Sequence, residues 1–263
     1  MNQKKSKQEK SKKGQLTIFI ILAILIVVVV AIVFFDNIKQ FVIPVNSPSL
    51  MSKDCIQSAV KDAVNQTLSH GGNINPELYF RYNNITLNYL CYTQEWYKTC
   101  IMQVPLLKQE MENQVNSLIQ TKVQKCISDT EQKLIARNYA VKTSGTKKVT
   151  VTFVPKNIQV NVDVAMTLSK SDSTENYPGS VFSSQINSNA YDLIMIASSI
   201  QNYEARYGDS APETYMGLYP NIKIQKLKQS DGSKVYIISD RESKETLSFA
   251  TRSLAWPPGY ALS

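Results

Sequence analysis

Only one histidine, His70, occurs among the 263 residues, and the short motifs that announce most enzyme chemistry are missing. A single imidazole excludes a His-rich metal centre. Without Gly-x-Ser-x-Gly there is no nucleophile elbow, and without Gly-x-x-x-x-Gly-Lys-Ser/Thr there is no phosphate-cradling loop. Cys-x-x-Cys is absent, which argues against dithiol redox catalysis, and no two cysteines lie two to four residues apart as structural zinc sites require. No cluster of Lys and Arg follows residue 14, so a nucleic-acid-binding face is not expected. Repeats are absent too, and the one biased segment is a lysine-rich tail. Carboxylate pairs among so many acids arise by accident and carry no information by themselves. No catalytic residue, cofactor or metal ligand is therefore expected. His70, beside Gly71-Gly72, reads as a helix-terminal or surface residue, since a cation there complements the helix dipole.

What is present starts at the N-terminus. Six lysines (Lys4, Lys5, Lys7, Lys10, Lys12, Lys13) and one acid (Glu9) precede a run from Leu16 to Phe35 in which Thr17 is the only polar residue. At about 1.5 Å per helical residue, 20 residues cover roughly 30 Å, the thickness of a bilayer's hydrocarbon core. Ile, Leu, Val and Phe each favour insertion by roughly 0.3–0.6 kcal/mol near the bilayer centre, and no charge opposes them. Cleaved secretory signals have a shorter apolar region that ends in small residues, whereas this one ends Phe34-Phe35-Asp36. The expectation is a basic cytoplasmic tail over 1–14, a retained transmembrane helix over 15–35 contacting lipid through 16–35, a tether over 36–48, and everything beyond on the extracellular side. The chain has 29 basic and 21 acidic side chains, and without the tail's six and one the balance is 23 against 20, so most of the net positive charge is topological.

At Lys12-Lys13-Gly14-Gln15-Leu16-Thr17-Ile18-Phe19 the chain resembles an archaeal class III signal peptide of the type IV pilin-like kind. The resemblance implies cutting between Gly14 and Gln15 by a prepilin-type peptidase on the cytoplasmic side, with the apolar helix kept on the mature protein. Two features depart from the pattern. Phe19 stands where such helices carry glutamate at the fifth mature position, and Pro44 and Pro48 interrupt any long stalk helix. Self-assembly into filaments is thus left open. The remainder is similar to uncharacterised membrane-anchored proteins of small-genome archaea in Cys55, Gly71-Gly72, Cys91-Tyr92-Thr93 and Trp256-Pro257-Pro258-Gly259-Tyr260, a likeness that implies an architecture and no activity.

The 228 residues from Asp36 onward can bury a real core. Met51, Cys55, Ile56, Ala59, Val60, Ala63, Val64 and Leu68 recur at helical spacing up to Gly71-Gly72. Leu107, Met111, Val115, Leu118, Ile119, Val123, Cys126, Ile127 and Leu134 do so after Pro105. Two amphipathic helices that pack together are expected, separated by an irregular tyrosine-rich segment, as a helical disulfide-containing region over 49–145. Beyond it, over 146–263, the period changes. Val149, Val151 and Phe153, then Ile158, Val160, Val162 and Val164, alternate with polar or smaller residues across Pro155-Lys156-Asn157, which predicts a hairpin. Ser169 to Gly179 reads as loop, Ser188 to Tyr207 as a helix, and Ile222 to Lys228, Val235 to Ser239 and Thr246 to Leu254 as an antiparallel meander. The fold class expected is α+β: a transmembrane helix, a disulfide-linked helical region, and an antiparallel sheet with a packed helix.

Four cysteines in an extracytoplasmic body predict two disulfides, with three pairings possible. Cys55 and Cys126 lie on the apolar stripes of the two helices, while Cys91 and Cys100 suit a local loop closure, so Cys55–Cys126 with Cys91–Cys100 is the pairing expected. Tyr79, Phe80, Tyr82, Tyr89, Tyr92, Trp96 and Tyr97 crowd into 19 residues. Tyr and Trp combine a stacking face with a polar edge, which makes them a candidate contact surface for an envelope protein or glycan, the bland reading being a small loop core. Asn65-Gln66-Thr67 and Asn84-Ile85-Thr86 are glycosylation sequons, Asn84 being the better acceptor because it is expected in a loop. The functional expectation is a single-pass anchored cell-envelope protein with a structural or interaction role, pilin-like in one form. An anchored envelope enzyme or assembly factor is the alternative.

Overall fold

The two expected amphipathic helices form in the computed structural model of the chain, which describes residues 23–26, 48–171 and 173–255. Helix α1 (Pro48–Ser69) buries Ile56, Val60, Ala63, Val64 and Leu68, and α2 (Leu107–Ile135) buries Leu107, Met111, Val115, Ile119, Val123, Ile127 and Leu134. Each of these side chains larger than alanine contributes roughly 1.5–3 kcal/mol relative to exposure. Cys55 on α1 is joined to Cys126 on α2, with Cα atoms 5.9 Å apart. Gly71 and Gly72, both with positive φ, end α1 as a Schellman motif: the Gly72 amide donates to the Thr67 carbonyl (2.9 Å) and the Gly71 amide to that of Leu68 (3.2 Å). A Cβ at Gly71 would also stand 3.0 Å from Phe249, so only glycine fits both the angle and the space.

The segment between these helices is not irregular. It holds β1 (Tyr79–Tyr82), β2 (Ile85–Tyr92) and the short β3 (Ile101–Met102). Asn83 and Asn84, both with positive φ, make the two-residue turn that pairs β1 with β2. After α2 come β4 (Ala140–Ser144), β5 (Val149–Val154), β6 (Asn157–Val162), β7 (Ala165–Lys170), β8 (Ser173–Tyr177), a short 3-10 turn at Gly179–Phe182 and β9 (Ser184–Asn187). Helices α3 (Ala190–Tyr207) and α4 (Pro212–Leu218) follow, then β10 (Ile222–Lys228), β11 (Ser233–Asp240) and β12 (Thr246–Arg252). The expected loop at Ser169–Gly179 is therefore corrected, since most of it is strand, with β8 paired to β7. Its side chains are almost all exposed, so the hydrophobic alternation that marks a strand is missing.

The body is mixed α+β with three sheets. The largest runs β1-β2-β12-β11-β10, with β3 on β2, and the smaller ones run β4-β7-β8 and β5-β6-β9. Every pairing is antiparallel except β2 with β12, and that ladder shifts register between Ala250 and Thr251. The change of pattern near residue 146 is a change of local structure within one compact unit: the described residues from Pro48 onward share a main core that takes side chains from α1, α2, α3 and all three sheets.

Helix α2 also closes an edge of the third sheet. Glu112, Asn116 and Gln120 accept the amides of Phe153 (2.8 Å), Val151 (2.7 Å) and Val149 (3.2 Å). Four helical residues rise about 6 Å and two strand residues about 6.6 Å, so the two repeats run in step over this length. Amides that would otherwise offer a template to another strand are satisfied from the side.

The expected tail, the Gly14-Gln15 junction and the expected tether up to residue 47 lie outside the described residues, as do Trp256–Tyr260 and all of the expected 15–35 span except the short helical stretch 23–26; Pro48, the tether's expected last residue, is instead the first of α1. Among the described residues no helix is long and apolar enough to cross a membrane.

Candidate functional site

The two faces of the large sheet differ. One packs Leu90, Ile222, Ile224, Tyr236, Ile238, Leu247 and Phe249 into the core shared with the helices. The other carries a separate apolar cluster of Leu87, Tyr89, Val235 and Ala250, flanked by Leu78, Phe80, Tyr82, Tyr92, Leu227 and Ile237, to which, among the described residues, no helix contributes. The irregularity opposite Leu90 and Cys91 explains the composition of both faces. It lets Tyr92 rejoin Tyr89 on the second face, where alternation alone would have sent it to the first.

The six tyrosine and tryptophan residues expected as a contact surface divide three ways. Tyr82, Tyr89 and Tyr92 belong to the second face. Tyr89 is only 4% exposed, lies edge-on to Tyr92 with ring centroids 4.8 Å apart, and shares a 2.6 Å hydrogen bond with the Ser233 hydroxyl. Burial pushes its phenol up from the usual value against the lowering effect of that bond. Tyr79 is exposed and alternates with Phe80 to the opposite side of β1. Trp96 and Tyr97 are 64% and 69% exposed on the loop that the Cys91–Cys100 disulfide closes.

That loop is held at several points. The Thr93 amide donates to the Arg252 carbonyl (2.9 Å), the Tyr97 amide to Leu254 (3.2 Å) and the Leu254 amide to Lys98 (3.1 Å). The Cys100 amide donates to the Ser253 hydroxyl (3.1 Å), which itself donates to the backbone of Glu204 (3.1 Å). The Arg252 guanidinium lies 5.8 Å from the Tyr92 ring centre and 5.9 Å from that of Trp96, and it donates to the carbonyls of Thr93 and Asp231. Two large aromatic side chains are thus exposed on a backbone fixed by a covalent bond and a short ladder. Ordering cost on binding is low for such a surface.

A second constellation lies under the helix-facing side. Glu204 of α3 is fully buried and accepts from the Lys234 ammonium, the Tyr236 hydroxyl and the Ser210 amide (3.0 Å). Lys234 also donates to the Gly208 carbonyl and to Asp209 (3.1 Å), and Asp209 receives Lys226 at 2.8 Å. Burial, then the Glu204 carboxylate, push the Tyr236 phenol far up, so it stays protonated and donates. Burial alone would raise Asp209, but its bonds to Lys226 and Lys234 outweigh that and hold it below the ordinary carboxylate value. A cavity of about 240 Å³ adjoins Lys234 and Asp209. Each charge here is already paired and hydrogen-bonded, the condition for tolerating charge in a core. The cluster fixes the C-terminal end of α3 to β10 and β11.

Other expected site residues fall into place. Both sequon asparagines are exposed, Asn65 on α1 and Asn84 at the tip of the β1–β2 turn, and the two are told apart by their hydroxyl residues, Thr67 being buried and Thr86 half-buried. His70 caps α1, its Nδ1 lying 2.8 Å from the Gln66 carbonyl. Among the described residues no three or more His, Cys, Asp or Glu side chains gather as a metal site. Sequence reading missed the Glu204–Lys234–Tyr236 cluster: Lys234 and Tyr236 share one face of β11, but their partner Glu204 comes from α3, some 30 residues earlier in the chain, and nothing local signals the meeting. Compared with known proteins, the chain matches no family model, no curated protein and no solved structure.

Proposed function

We propose that the chain is a single-pass, membrane-anchored cell-envelope protein whose extracellular body has a structural or interaction role. The pairing of all four cysteines carries this reading, because two structural disulfides are characteristic of bodies that mature in an oxidising compartment outside the cytoplasm. The lysine tail and the apolar run Leu16–Phe35 supply the anchor and the orientation. Trp96 and Tyr97 on their fixed loop supply the contact point for an envelope protein or glycan. The finer, pilin-like form rests on Lys12-Lys13-Gly14-Gln15 alone.

The test is protease treatment of intact cells combined with mass mapping of the non-reduced protein. The expected result is digestion of the body from outside, a protected fragment containing 16–35, and no free thiol. A body that survives until the cells are lysed, or four alkylatable cysteines, overturns the reading. N-terminal sequencing separates its forms: a start at Gln15 supports prepilin-type processing, and an intact Met1 removes it. The alternative, an anchored enzyme or assembly factor, has one observation behind it, the cavity beside Lys234 and Asp209. The mutual pairing of those groups makes it the weaker reading.

A further inference from the structure

A groove of about 680 Å³ runs between the Asn73–Leu78 segment, β2 and the start of α2, in the size range of small-molecule pockets. Its lining has an unusual chemistry. Carboxamides come from several directions, among them Asn88, Gln103, Gln109 and Asn113, while among the described residues that line it the charges are the carboxylates Glu77 and Glu110, with no lysine or arginine. Asn88 is 7% exposed and its amide nitrogen donates to the Gly71 carbonyl (3.3 Å), which orients the side chain against the groove. Gln103 is likewise oriented by donation to Ile101 (2.9 Å).

We propose that this groove binds a neutral, polyhydroxylated ligand, a segment of glycan. A carboxamide carries an acceptor and two donors in one plane; Asn88 and Gln103 each keep the acceptor and one donor after bonding Gly71 and Ile101, which still suits neighbouring hydroxyls that both give and take hydrogen bonds. The two carboxylates accept from hydroxyls and repel anions, so a phosphorylated or acidic ligand is disfavoured. Leu78 and Val104 provide apolar surface for the C–H faces of a sugar ring. A peptide strand is the competing occupant with similar polarity, but Pro76 and Pro105 on the groove's walls have no amide to donate to a main-chain ladder. The inference goes beyond the anchored-contact reading and does not depend on it, because the groove is defined within the body whatever the anchor does.

The experiment uses the full chain in an amine-oxide detergent, since glycosidic detergents would themselves compete. Saturation-transfer NMR is recorded with α- and β-linked disaccharides of glucose, galactose and mannose, and with an uncharged Ser/Ala/Gly octapeptide. The result expected is transfer to at least one disaccharide and none to the peptide. Affinity should be at least tenfold weaker in the Gln109→Ala/Asn113→Ala variant, whose substituted side chains are exposed on α2 and whose thermal unfolding should match the parent. Glu110→Gln, which keeps the groove's shape, serves as the second variant and should weaken binding at least threefold. No transfer to any disaccharide, transfer undiminished in both variants, or transfer to the peptide in their place overturns the proposal.

Discussion

The two faces of the large sheet are built from the same strands yet are stabilised differently. On the helix-facing side, aliphatic and aromatic residues close a common core and one buried ion cluster sits among them, with Glu204 fully enclosed. On the other side a handful of residues make a smaller cluster with no helical contribution among the described residues, and beyond its rim an aromatic loop stands out on a disulfide. Stability should therefore reside on the first face and recognition at the edge of the second. Three sets of substitutions break or sharpen that contrast.

The largest effect is expected at Lys234. Lys234→Met leaves the Glu204 carboxylate buried without its counter-charge, a loss of about 3–5 kcal/mol in thermal or denaturant unfolding. Removing both partners as Glu204→Gln/Lys234→Met should recover part of the loss. A deficit below 1 kcal/mol at neutral pH would mean that the cluster does not lock the helix-facing side.

Next come the disulfides. By the chain-entropy relation, losing the long Cys55–Cys126 closure as a double serine variant should cost about 4 kcal/mol. The nine-residue Cys91–Cys100 closure should cost about 2.5 kcal/mol. The order matters more than either value. If the short closure proves the costlier, the aromatic loop belongs to the stability of the body and the contrast between the faces fails.

The smallest change in stability, within about 0.5 kcal/mol, is expected for Trp96→Ala with Tyr97→Ala, because exposed side chains contribute little to folding. The measurement that should respond is capture of envelope material by the purified chain, reduced at least tenfold. Normal capture with lowered stability would reverse the assignment.

How much of this was legible in the sequence depended on whether one side of an element is greasy. Helices α1 and α2, the β5–β6 hairpin and the β10–β11–β12 meander each bury one periodic face, and each was read close to its observed limits. The disulfide pairing followed because Cys55 and Cys126 lie on two such faces. Strand β2 escaped because its register shift breaks the period of two near Leu90, and its tyrosines resemble loop composition. Strand β8 escaped because it is an exposed edge with nothing to bury. Features that depend on two distant elements meeting left no local trace. Glu112, Asn116 and Gln120 look like an ordinary polar helix face until β5 lies beside them. The amide-lined groove likewise gathers residues from three separate stretches of chain.

The bond between Cys55 and Cys126 also has a mechanical meaning. The chain enters the folded body at Pro48, and Cys55 lies two helical turns further on, about 10 Å along α1. Tension arriving from the N-terminal side meets a covalent cross-link before it reaches most of the α1–α2 packing, and passes directly into the long helix. The residues enclosed between the two cysteines cannot be drawn out while the bond holds. With a sequence separation of 71 and up to about 3.5 Å per extended residue, some 250 Å of contour length is withheld from any pull. A protein held at one end is shielded in this way over much of its first half, and reduction of a single bond would release that length.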